Sequence, residues 1–232
     1  MRPVTAMNVL TPFDNGVRPL VSQHRALAAP LTDVLAIVVC AVYAIQAAQT
    51  ALWGVSSVFE TTNYVYLHAP WLAWSLAPLL HGGLLHVVPN VFTLFAFGRV
   101  TEVHLPKRRF AAMAVVAAGG SILALVGWSM LFAAESLVAV YGISGVVFAA
   151  GGFAVVHLPR HRLVTDLELL AVLFGACAVA LVAVETLVAV AFHTPASINV
   201  GHAAGLLVGV VTALVSPVGS RSCPPRTDSR EE

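Results

Sequence analysis

Six apolar stretches, each close to the length needed to cross a bilayer, leave this chain few ways to fold. They run from about Leu31 to Trp53, Leu84 to Val100, Phe110 to Phe132, Leu137 to Leu158, Leu167 to Val184 and Ile198 to Val215. A helix needs ~20 apolar residues to span the hydrocarbon core. Backbone groups in lipid must pair within their own segment or within a closed barrel. The stretches are too long for barrel strands and lack the alternation of a lipid-facing strand, so they predict an all-α membrane protein with six transmembrane helices. Composition agrees. Of 232 residues, 59% are hydrophobic and 10% charged, against about 25% charged in an ordinary soluble domain. That excludes a disordered chain and a nucleic-acid binder with a basic face, and it argues against a free soluble enzyme. A net charge of +1 suggests no acidic or basic partner; the lipid bilayer is the expected surrounding.

Charge placement predicts orientation. Arg2, Arg18, Arg25, Arg99, Lys107, Arg108, Arg109, Arg160, Arg162, Arg221, Arg226 and Arg230 are all twelve basic residues. They fall in the N-terminal segment, the second-to-third connection, the fourth-to-fifth connection or the C-terminal tail, and the other three connections contain none. Basic residues stay on the cytoplasmic side, so a multi-pass cell-membrane protein with both termini in the cytoplasm is expected. Residues 1–30 then form a cytoplasmic segment, 31–218 the six-helix domain and 219–232 a cytoplasmic tail. No cleaved leader is expected in 1–30, where Pro3, Pro12, Asp14, Pro19 and Pro30 leave no compact apolar core. Cys40 and Cys177 lie inside apolar runs and Cys223 in the tail; without paired spacing, the first two are expected to be small buried hydrophobes. Trp71 to Leu80, in the first-to-second connection, is Trp-rich and too short to cross. It is expected either to anchor in the outer interface or to pack as re-entrant structure.

Polar groups inside spans are costly, so each is a functional candidate. The second span opens HGGLLHVVPN, which gathers His81, His86 and Asn90. His86 and Asn90 are four apart and share a helix face, and Pro89 withholds a backbone N–H beside them. The fourth span opens YGISG around Ser144, and the sixth opens INVGHAAG around His202. Spans two, four and six run in one direction, so Ser144, His202, His86 and Asn90 should share a depth in the outer half of the bilayer. Gly201, Gly205 and Gly209 recur at intervals of four, as do Gly145 and Ala149; such spacing lets two helix backbones approach closely. A Ser and a His on two such helices can come within hydrogen-bond reach, as a nucleophile and its base must. Taken alone, the pattern is also open to plain helix packing with Ser144 bonded to its own helix, and GxSG by itself is a weak signal.

Together the motifs say more. HxxxxHxxxN from His81 to Asn90, Gly98 and Glu102, Gly142-Ile143-Ser144-Gly145, and Gly201-His202 followed by Gly205 and Gly209 resemble the rhomboid family of intramembrane serine proteases. They stand in family order within residues 31–218. The resemblance implies a six-helix rhomboid-like bundle without an attached soluble domain, no cofactor, no metal, and a Ser–His dyad with no acidic third member. Ser144 matches the family nucleophile and His202 its general base. His86 and Asn90 match side chains that stabilise the oxyanion with the Ser144 backbone N–H, the kind of preoriented donor that a developing negative charge needs. His81 matches a position that supports this region or its access to water. The implied substrates are single-span transmembrane proteins, cut near the outer face.

Some features depart from the family or fall outside its motifs. Trp74 is followed by Ser75 where many members have Arg, which puts outer-loop packing in doubt. Phe148 stands where several relatives carry a Tyr that stacks on the base; a phenyl ring can still stack. Glu185 in span five reads as an outer-interface carboxylate or as part of a gate. Oligomeric state is not legible, because the glycine faces can all be used within one chain. A zinc site on His81, His86 and His202 is a rival, but neither HExxH nor a carboxylate accompanies them. A non-catalytic rhomboid-like protein that binds or escorts membrane clients is another; such proteins usually lose the Ser or the His. A transporter would need an inverted repeat with broken helices.

Overall fold

The computed structural model describes residues 17–54, 70–132, 141–160, 163, 165–192 and 197–217. The tail at 219–232 with Cys223, residues 1–16, most of the first-to-second connection, the Trp74 side chain and residues 194–196 lie outside them. Among the described residues the regular structure is all helical: α1 (Val17–Ala26), α2 (Pro30–Trp53), α3 (Pro70–Leu76) with the 3₁₀ turn Ala77–Leu79, α4 (Leu84–Val103), α5 (Lys107–Phe132), α6 (Ser144–His157), α7 (Asp166–Phe192) and α8 (Ser197–Val215). Four segments, Pro30–Trp53, Leu84–Val103, Lys107–Trp128 and Asp166–Ala191, are long and apolar enough to cross a membrane. The chain is a multi-pass membrane protein.

α6 is the centre of the bundle. Every residue from Gly145 to Ala154 is buried, with α5, α7 and α8 packed around it. A helix enclosed by others need not match the bilayer thickness, and α6 has only 14 residues. It also starts at Ser144, later than the apolar run suggests, because Gly142 has a φ of +122°, a conformation that suits glycine and no helix. On the outer flanks apolar side chains are exposed instead: Leu85 is 96% and Leu131 77% accessible, a pattern that lipid tails satisfy and water does not. Cys40 and Cys177 are exposed on such flanks, against the expectation of burial. In a membrane an apolar residue has the bilayer as an alternative to the core, so apolarity alone does not predict burial.

The charged residues near the ends of the helices serve as caps. α2 begins after Ala29, which offers no side-chain cap, so its first amides would be left unpaired. Glu102 of α4 fills the gap: its carboxylate accepts the Leu31 N–H at 3.0 Å, the Thr32 N–H at 2.7 Å and the Thr32 hydroxyl at 2.7 Å. A carboxylate is favoured there by the positive end of the helix dipole. Arg99, one turn earlier, pairs with Asp33 at 3.0 Å and donates to the Leu27 carbonyl. Replacing Glu102, which is 3% exposed, with Ala is expected to destabilise the protein by about 3 kcal/mol, since charge-assisted bonds to buried amides are lost together. A thermal melt in detergent checks this; an unchanged midpoint would refute the capping role.

Other connections are tied in the same local way. Thr165 and Glu168 form a capping box at the start of α7, each side chain accepting the other's backbone N–H at 3.2 and 3.1 Å. α7 then continues through Glu185 to Phe192, past the expected end of its apolar run. α1 lies within the segment expected to be a cytoplasmic extension and packs under the bundle. His24 Nε2 meets the Phe95 carbonyl at 2.9 Å and the Gln23 side chain accepts the Leu167 N–H at 3.3 Å. The Trp71 to Leu80 segment is packed at one end, with Ala77 against Ile122 and Leu125, and leaves Trp71 exposed at the other.

Candidate active site

The site is built on the seam between α6 and α8. A Cβ placed on Gly205 would lie 2.9 Å from the Gly145 Cα, and one on Gly209 only 2.7 Å from the Ala149 carbonyl carbon. The small residues spaced by four thus face each other across two backbones in contact. Ser144 precedes Gly145 and His202 lies three residues before Gly205, so this packing sets both at one end of the seam. Phe148, one turn into α6, stacks on the His202 imidazole with ring centroids 4.1 Å apart and planes at 9°. Among the described residues no hydrogen bond joins the Ser144 hydroxyl to His202; such contacts often tighten only when substrate binds.

His86 enters from α4. Its Nε2 lies 2.9 Å from where a Cβ on Gly142 would stand, so only glycine lets the imidazole approach the turn that leads into Ser144. Its Nδ1 accepts the Gly82 N–H at 3.4 Å. A neutral ring that accepts at Nδ1 carries its proton on Nε2, the nitrogen turned toward that turn. Asn90 lies one helical turn on, and its Nδ2 donates to the His86 carbonyl at 2.8 Å. An amide nitrogen has two protons, so one remains for another acceptor. The Ser144 N–H opens α6, where a helix has no earlier carbonyl to bond it and the dipole favours negative charge.

His81 is buried and braced on both sides. Its N–H donates to Gln46 Oε1 at 3.1 Å, its Nδ1 to the Leu79 carbonyl at 3.2 Å, and its Nε2 accepts the Ile143 N–H at 3.5 Å. With both ring nitrogens engaged it has none to give a metal, and among the described residues no group of His, Cys, Asp and Glu is arranged to hold one. His81 instead secures the turn before Ser144, a role that Gln46 shares and that its place in span one did not reveal. The Gly142 N–H, donating to the Ala77 carbonyl at 2.9 Å, pins that turn further.

Glu185 is the residue whose place the sequence signalled least. One carboxylate oxygen is turned inward, 4.0 Å from His202 Nδ1. At that separation neither atom is hydrogen-bonded.

Comparison with curated proteins finds no match. A sequence model of the Rhomboid domain matches residues 68–217, a range that holds α3 to α8, the glycine seam and every side chain of the cluster except Gln46. With well over half of its length matched, the chain belongs to the rhomboid family.

Proposed function

We propose that this protein is an intramembrane serine endopeptidase that hydrolyses single-span membrane proteins near the outer membrane face, with Ser144 as nucleophile and His202 as general base. In this reading α2, α4, α5, α6, α7 and α8 are the six crossings, and both termini are cytoplasmic. The observation that carries it is the backbone contact of Gly145 with Gly205, together with Phe148 stacked on His202. These bring a hydroxyl and an imidazole to one level on neighbouring helices inside an apolar bundle.

The chemistry follows from the donors present. Ser144 Oγ attacks the scissile carbonyl while its proton passes to His202 Nε2. The oxyanion forms beside the Ser144 N–H, with His86 Nε2–H and the second Asn90 proton as further donors. His202 then gives the proton to the leaving amine, and water releases the acyl group by the same steps. An intact substrate helix hides its carbonyls, so cleavage should favour segments with small or helix-destabilising residues.

A serine-reactive fluorophosphonate tests the nucleophile. The purified wild-type protein is expected to be labelled and Ser144→Ala not. His202→Ala should slow labelling by about 100-fold, within the usual range for a positioned general base. Equal labelling of Ser144→Ala would overturn the assignment, and no labelling of the wild type would favour a non-catalytic member that binds membrane clients.

A further inference from the structure

Glu185 and His202 present a pair of polar atoms for which the dyad has no use. Glu185 Oε2 and His202 Nδ1 are both sealed from solvent, neither has a hydrogen-bond partner, and they face each other at 4.0 Å across α7 and α8. The Glu185 side chain as a whole is 31% accessible. A charge-assisted hydrogen bond forms at ~2.8 Å, so the two atoms stand about one ångström beyond bonding distance.

We infer that Glu185 is a positioning residue for His202, its carboxylate accepting the Nδ1–H and so completing a Ser144–His202–Glu185 relay. This rests on His202 being the general base. Phe148 already fixes the plane of the imidazole by stacking; a carboxylate at Nδ1 fixes its rotation within that plane and selects the tautomer with Nε2 unprotonated. When Nε2 takes the Ser144 proton, Nδ1–H keeps its own, and the carboxylate balances the positive ring. The other ionisable groups nearby come from α4 and the turn before it: His86, with His81 behind it at a ring separation of 5.0 Å. α6 brings Ser144 and Phe148, and Tyr141 sits beside His86 at 6.0 Å.

The full-length protein in detergent supplies the test. Glu185→Gln is expected to lower kcat about tenfold with KM nearly unchanged, and to move the acid limb of kcat/KM to lower pH, since a ring without its carboxylate loses its proton more readily. Glu185→Asp should recover part of the rate. Wild-type kcat and an unmoved acid limb in Glu185→Gln, with cleavage lost in Ser144→Ala, would overturn the role of Glu185 alone. Cleavage that survives in Ser144→Ala would overturn the dyad and this role with it. NMR titration of labelled histidine, with the His202 signal identified by its loss in His202→Ala, needs no activity. A lower His202 midpoint in Glu185→Gln supports the pairing, and an unchanged midpoint overturns it.

Discussion

Ser144→Ala is expected to reduce cleavage of a single-span substrate in liposomes by at least ~10⁴-fold while leaving the fold intact. The size of the loss follows from removing the atom that forms the acyl bond in the proposed mechanism. Elsewhere, deletion of a serine nucleophile leaves only the residual rate that oxyanion donors and binding supply. The fold should survive because Ser144 does not cap its helix. The cap position is Ile143, which makes no side-chain bond to the first turn, and alanine is at least as good a helix former as serine. Ser144 is half-buried, and loss of one hydroxyl that caps nothing should cost no more than ~1 kcal/mol. Initial rates and thermal midpoints, measured on the same preparations, separate the two effects. Cleavage within tenfold of wild type, or wild-type cleavage abolished by a metal chelator, would sink the serine mechanism.

The sequence made the seam legible because close helix packing needs small residues on one face, and that need is local. Gly205 and Gly209 with Gly145 and Ala149 could be matched across two spans before any fold was known. His86 beside the Ser144 turn was legible for a related reason: span order sets depth. What escaped were contacts that depend on how each helix is rotated about its own axis. α7 is apolar on nearly every side, so nothing in its pattern says which face meets α8, and Glu185 could be placed at a depth but not against His202. Glu102 read as a motif residue at the end of a span and Arg99 as an orientation charge. Their partners Thr32 and Asp33 lie 70 and 66 residues away, beyond any local pattern. Gln46 was equally silent. Its partner is a backbone group of His81, and any segment offers such a group.

Gly205→Ala is expected to cost about 100-fold in cleavage and about 1–3 kcal/mol in stability, although it adds one methyl group far smaller than the side chains around it. The added carbon would sit 2.9 Å from the Gly145 Cα and 3.0 Å from its carbonyl carbon. Both are backbone atoms, which cannot swing aside, so α6 and α8 must separate. Overpacking of this kind costs the stated stability. The catalytic loss arises because Ser144 rides on α6 and His202 on α8, and a misplacement of ~1 Å between reacting groups is worth about 100-fold. The three glycines of α8 look equivalent in sequence, yet they should not respond alike. At Gly201 the nearest atom, the Ser121 carbonyl oxygen, is 3.4 Å away, so Gly201→Ala should be much milder. Gly119→Ala on α5 meets nothing within 4 Å and is expected to raise the thermal midpoint, since alanine in a helix is favoured over glycine by about 1 kcal/mol. Rates and melts of the three variants side by side decide the matter. If Gly205→Ala keeps wild-type cleavage, the α6–α8 distance does not govern the Ser144–His202 geometry, and the seam is only a packing device.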